Sequence, residues 1–340
     1  MGMKYRLLAF VLLVLACAGA ATGYTLHALQ RDRTAVGGGA TPRPHALDLT
    51  PGSPRLVFQQ TGAGSGYGHV GETGSDGTGP RLIDRQTCER VYAAAGRLLC
   101  LHGSGGLIVH QAATLYDAAG RQIDSRPVPG LPSRARLSAD GRMAAWTAFV
   151  YGDSYTSVGF STRTALLDTR TGVYVPSLEE FRTLRGGRTF EPADRNFWGV
   201  SFARDDNTFY ATLGSPSSGG TFLVRGDFAA RTLTVLRSNV ECPSLSPDGT
   251  RLAFKKKVSD DQSRPWRLYV LDLATMKETP LADSRSADDQ ADWLDLHTVA
   301  YALPGSGRNS FDIWEQPADG SGRPKLLLHD AASPSVIGRR

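Results

Sequence analysis

The chain has 340 residues, 41% hydrophobic, 9% aromatic and 21% charged, a balance that excludes a disordered or fibrous chain and supplies a sizeable core. Its 38 Lys and Arg against 33 Asp and Glu leave a net charge of only +5. The one dense basic run, Lys255–Lys257, lacks the interleaved aromatics of a nucleic-acid stripe, so no nucleic-acid partner is expected.

At the N-terminus, Lys4 and Arg6 precede an uncharged run from Leu7 to Tyr24, followed by the small residues Ala18-Gly19-Ala20-Ala21. This pattern predicts a signal peptide or membrane anchor over 1–30. Three outcomes stay open. Cleavage near Ala20 or Ala21 would release the chain. Retention is allowed because the run stays uncharged to Gln30, and a span needs ~20 apolar residues. Lipidation at Cys17 is the third, since Val14-Leu15-Ala16-Cys17 approximates a bacterial lipobox, with Leu15 where a small residue is usual. In each case the segment engages the membrane at least transiently, and the rest of the chain is expected outside the cytoplasm, in the cell envelope or secreted. Residues 31–48, rich in Arg, Gly, Thr and Pro with no apolar period, read as a tether.

Cys88 and Cys100 flank a turn at Ala94-Ala95-Gly96, which would put them on neighbouring strands of one hairpin, and an oxidising compartment would let them pair. Cys242 is the odd cysteine and reads as buried. No CxxC pair or matching His pair supports a metal site, and none is expected.

From residue 49 to 340 short alternating runs are punctuated by Gly, Asp and Pro, as strands should be. The decisive signal is an internal repeat. Its clearest copy is Cys242-Pro-Ser-Leu-Ser-Pro-Asp-Gly-Thr-Arg-Leu-Ala-Phe254, and Pro132 to Trp146 repeats it through Ser138-Ala-Asp140-Gly141. Weaker copies centre near Gly52, Ala95, Asp205 and Asp295, giving six turn centres 43 to 65 residues apart. Each is read as strand, two-residue turn, strand, with Asp-Gly supplying the positive φ. A second hairpin follows each copy, for example Leu268–Asp272 with Glu278–Leu281. Four strands at this period predict a six-bladed, all-β propeller with four-stranded antiparallel blades. Ser333-Pro-Ser-Val-Ile337 is expected to complete the first blade and close the ring between the chain's N- and C-terminal strands.

Ser246-Pro-Asp-Gly249 followed by Leu252-Ala-Phe254 resembles the repeat of the TolB-like six-bladed propeller family, with WD-like repeats covering roughly residues 49–340. The resemblance implies a propeller that binds protein partners at its channel mouth. TolB itself carries an α/β domain before its propeller, and the stretch before Gly52 is too short for one, so functions tied to that domain are not carried over.

Catalytic motifs are sparse. No Gly-x-Ser-x-Gly elbow occurs, and the sequence leaves no room after the sixth repeat for a hydrolase domain. Gly66, Gly68 and Gly71 form a Gly-x-Gly-x-x-Gly string in a loop expected over Gly62–Gly79, with no helix pattern after it. The expected function is therefore non-catalytic binding of a protein or cell-envelope component at the channel mouth, with no cofactor. The alternative is a carbohydrate-active lyase or glycosidase that uses the channel. Candidate mouth residues on the inner strands are Arg134, Trp198, Cys242 and Asp292.

Overall fold

The computed structural model describes residues 47–50, 52–105, 109–150 and 161–338, together with positions 17 and 19. The predicted signal or anchor and the start of the tether lie outside the described residues, except that Cys17 is an exposed free thiol. No helix among the described residues is long and apolar enough to cross a membrane.

Among the described residues twenty-six strands form six sheets. Blade 1 holds β1 (Arg55–Gln60), β2 (His69–Gly74) and β3 (Leu82–Thr87). Blade 2 is β4 (Arg90–Ala94), β5 (Arg97–Ser104), β6 (His110–Tyr116) and β7 (Gln122–Pro127). Blade 3 is β8 (Leu131–Leu137), β9 (Met143–Val150), β10 (Ser161–Asp168) and β11 (Tyr174–Val175). A hairpin of β12 (Arg182–Arg185) and β13 (Arg188–Thr189) then precedes blade 4, which is β14 (Asn196–Phe202), β15 (Thr208–Ser215), β16 (Gly220–Asp227) and β17 (Thr232–Ser238). Blade 5 is β18 (Glu241–Leu245), β19 (Arg251–Lys257), β20 (Trp266–Asp272) and β21 (Glu278–Pro280). Blade 6 is β22 (Asp292–Trp293), β23 (Thr298–Pro304), β24 (Phe311–Pro317) and β25 (Lys325–Leu328). Last comes β26 (Ala331–Ile337), which pairs antiparallel with β1 and becomes the inner strand of blade 1.

The expected ring and its closure are both present. Three details differ from the sequence reading. Blade 4 has six strands, because β12 adds to its outer edge parallel to β17. Phe181, on the link into β12, goes to the core against Phe209, and Arg185 stacks on Phe190 and Phe222, so this hairpin is held by aromatic packing. Among the described residues the copy near Gly52 has no strand on its N-terminal side, and β26 supplies the inner strand. A third of the expected Gly62–Gly79 loop is strand β2, where the Phe58 ring packs across Gly71 and leaves no space for a side chain.

The Asp-Gly hairpins are also longer than two residues. Ser138 pairs with Met143 through the backbone, so four residues form the loop, and of these only Gly141 takes positive φ (75°). The reason is the serine. Ser138 Oγ donates to Asp140 at 2.6 Å and accepts the Met143 N–H at 2.9 Å, while Asp140 accepts the Arg142 N–H. Ser246, Asp248 and Arg251 repeat this in blade 5. The turn is wired by side-chain oxygens, which is why Ser stands two positions before the Asp of Asp-Gly.

Cys88 and Cys100 form a disulfide with Cα atoms 5.3 Å apart. Cys88 lies just before β4 and not on it, so the bridge ties the blade 1 to blade 2 link onto β5. Both sulfurs sit in an apolar cluster with Val57, Val70, Leu98 and Ile337. Closing a loop over a separation of 12 residues restricts the unfolded chain. Replacing both cysteines by serine is expected to lower unfolding free energy by about 2–3 kcal/mol, read from guanidinium melts.

Candidate functional site: the sealed channel and its hairpin mouth

The six inner strands β26, β4, β8, β14, β18 and β22 stand in ring order around the axis. Alternate residues of a strand face the same side. One level of the channel therefore carries Arg90, Arg134, Gly199, Cys242, Gln290 and Ser333. The next carries Tyr92, Arg136, Ser201, Ser244, Asp292 and Ser335. Gly199, Cys242 and Ser333 all hold positive φ (66°, 49° and 52°), and the pairing register shifts beside each of them. Three inner strands thus bulge at the same height.

The second level seals the channel. Arg136, buried to 5% side-chain exposure, pairs with Asp292, itself at 3%, at 3.0 Å. Its other terminal nitrogen donates to Ser244 Oγ at 3.3 Å and to the Ala291 carbonyl at 3.0 Å, and the guanidinium lies over the Tyr92 ring at 4.6 Å. Burial works against this charge, but Tyr92 and Asp292 outweigh it and leave the guanidinium pKa above its ordinary value. The oxygens of this level also stitch blade to blade. Asp292 accepts the Val336 N–H, Ser335 the Ala93 N–H and Ser201 the Leu245 N–H, each across one blade boundary.

The four residues singled out from sequence separate. Arg134 and Cys242 meet at the first level. Arg134 donates to the Ser133 and Asp288 carbonyls and stands 3.6 Å from the Asp288 carboxylate. Burial opposes its charge, yet the nearby Cys242, Asp289 and Asp288 raise its pKa. The Cys242 N–H donates to Thr212 Oγ1, and buried Lys255 lies beside this thiol and over Trp266. Asp292 belongs to the second level. The Trp198 ring covers Gly214 on the neighbouring strand, away from the other three. Tyr92, Arg136, Ser201, Ser244 and Ser335 were not singled out. For the three serines the signal was the repeated Ser two places after the bulge residue, in Cys242-Pro-Ser244, Ser333-Pro-Ser335 and Gly199-Val-Ser201, while no local pattern marks Tyr92 or Arg136.

Above the seal, on the face of the inner hairpin turns, a cavity of about 320 Å³ opens to solvent. Arg136, Asp292, Tyr92 and Ser201 form its polar floor, apolar side chains its wall, and exposed Arg204 part of its lip. The opposite mouth holds only about 20 Å³ among Arg90, Arg134, Asp289 and Ser333. Leu49 lines the cavity on the hairpin-turn face, so the chain enters the ring beside it.

A carboxyl pair stands near this lip. Burial and then the Asp140 carboxylate push Asp206 up, against Arg142 at 3.7 Å. The folded chain therefore holds the Asp206 proton more readily than the unfolded chain does. That contribution is complete below the ordinary value of 3.8 and is lost as pH rises through the raised value. Asp206→Asn keeps a residue that tolerates its φ of 55°. Its melting temperature should gain on the native chain between about pH 4 and pH 7, as thermal scans at stepped pH would read.

No family model and no curated protein matches the sequence. Among solved structures the chain is similar to TolB from Acinetobacter baumannii, at 16% identity over 86% of this chain and 68% of that one, with a TM-score of 0.59. The fold is a TolB-like six-bladed β-propeller. Likeness at that identity establishes the TolB-like fold and leaves activity to the site. A putative TolB from Agrobacterium tumefaciens (11% identity, 82% of this chain, 89% of that chain, TM-score 0.48) and a puromycin hydrolase (17%, 85%, 44%, 0.48) share the TolB-like architecture more loosely and carry no part of the argument.

Proposed function

We propose that this TolB-like propeller is an exported, membrane-tethered and non-catalytic binding module that holds a protein or cell-envelope component at its channel mouth. The observation that carries the reading is the 320 Å³ cavity set over a sealed channel on the hairpin-turn face, against about 20 Å³ among the described residues of the opposite mouth. The channel's ionisable groups are engaged with one another: Asp292 takes donors from Arg136, Tyr92 and the Val336 backbone. The buried disulfide and the N-terminal sequence pattern support an extracytoplasmic setting.

The test is retention of partners from a native envelope extract, identified by mass spectrometry. Ala139, exposed and on the cavity lining, is replaced by Trp to fill the mouth. Retention should fall at least about tenfold in Ala139→Trp and stay unchanged in Asp289→Trp at the opposite mouth. The reverse pattern overturns the reading.

A further inference from the structure

The cavity carries a charge and hydrogen-bond pattern that defines its occupant more narrowly. We propose that it receives the free carboxylate end of an apolar peptide. The inference rests on the binding role proposed above.

Charge comes first. Arg136 and Arg204 line the cavity against Asp292 alone, which leaves one cation in excess. Arg136 is buried, and its Nε has no hydrogen-bond partner among the described residues. That nitrogen is shielded from the cavity, so Arg136 acts on an occupant through its charge and not through a direct hydrogen bond. Ser201 Oγ already accepts the Leu245 N–H, which leaves its hydroxyl proton to donate. The groups still available around the floor and lip are therefore donors, the Ser201 hydroxyl and the Arg204 guanidinium. A carboxylate is acceptor-only, has about four lone-pair sites and brings the single negative charge that balances the excess.

The wall sets the rest of the ligand. Leu49, Leu137, Phe202, Leu245 and Ile337 surround the polar floor, so the group behind the carboxylate is apolar. At 320 Å³ the space is at the small end of ligand cavities. It takes the last one or two residues of a chain, too little for a folded loop. The wide lip lets the rest of a partner stay outside.

The probes are an N-acetylated Ala-Leu-Phe tripeptide with a free carboxylate, the same peptide as its C-terminal amide, and octanoate. Binding to the full chain is read by titration calorimetry. The acid should bind about thirtyfold more tightly than the amide. Arg204→Gln, at an exposed position, should weaken the acid about tenfold and leave the amide unchanged. Ala139→Trp should abolish binding of both.

Equal binding of acid and amide overturns the proposal, as does no binding of the acid. Octanoate binding as tightly as the peptide also overturns it, because the occupant would then be an acyl chain. These outcomes separate from the binding role itself. If Ala139→Trp loses the envelope partner while acid and amide bind alike, the mouth is the binding site and the chain-end chemistry is wrong.

Discussion

Removing the ring-closing strand is expected to abolish cooperative folding. A chain ending at Asp330 lacks β26, so β1 becomes an open edge and buried Leu56, Phe58 and Ile83 lose their cover. Burial of Ala331, Val336 and Ile337 alone stabilises by about 5 kcal/mol, and five backbone-paired positions go with it. Domain stabilities are about 5–15 kcal/mol, so the loss takes most of what holds the ring. Urea melts followed by tryptophan fluorescence should show a broad, shallow transition, and a synthetic peptide covering residues 331–338 should restore a sharp one. A truncated chain that melts sharply at the native midpoint would mean that the ring is held without its closure.

Asp292→Ala is expected to lower stability by about 3–5 kcal/mol. The cause is not the loss of one attraction. Arg136 would keep its charge at 5% exposure with no carboxylate, and the Val336 N–H and Tyr92 hydroxyl would lose their acceptor. Asp292→Asn keeps an oxygen for those donors and should fall between the two. A double replacement, Arg136→Met with Asp292→Leu, removes both charges and should recover about half of the loss or more. Guanidinium melts of the four proteins form the comparison. If Asp292→Ala loses under about 1 kcal/mol, water reaches the pair and the channel is not sealed.

The fold was legible because each repeat writes its own turn. Ser, Asp and Gly at Ser246, Asp248 and Gly249 act within six residues, so a local string reports them. Closure was legible for a similar reason, since Ser333-Pro-Ser335 copies Cys242-Pro-Ser244. The additions to blade 4 were not, because Phe181 and Arg185 are ordered by contacts made some 30 to 40 residues away. The site was half legible. Arg134, Trp198, Cys242 and Asp292 all lie on inner strands, but Arg136, the residue that seals the channel, has its partner 156 positions along the chain. Nothing near Arg136 in sequence announces Asp292, and only the circular arrangement makes them neighbours. Which mouth holds the cavity also depends on how far the hairpin turns of four blades stand from the axis, and no local pattern encodes that.

The antiparallel closure also fixes how the ring responds to load. Arg55 pairs with Ile337 and Gln60 with Ala331, so the chain enters β1 and leaves β26 at the same end of the pair. Tension between residues 50 and 338 would pull those strands apart like a zipper, breaking one rung after another and beginning at Arg55 and Ile337. A sheared pair would resist with all its rungs at once. Pulled from its ends this ring is mechanically soft, while pulled from any two interior loops it is loaded across its packed blades. A tug on either end would open the wall that carries Leu49 and Ile337, and the cavity with it.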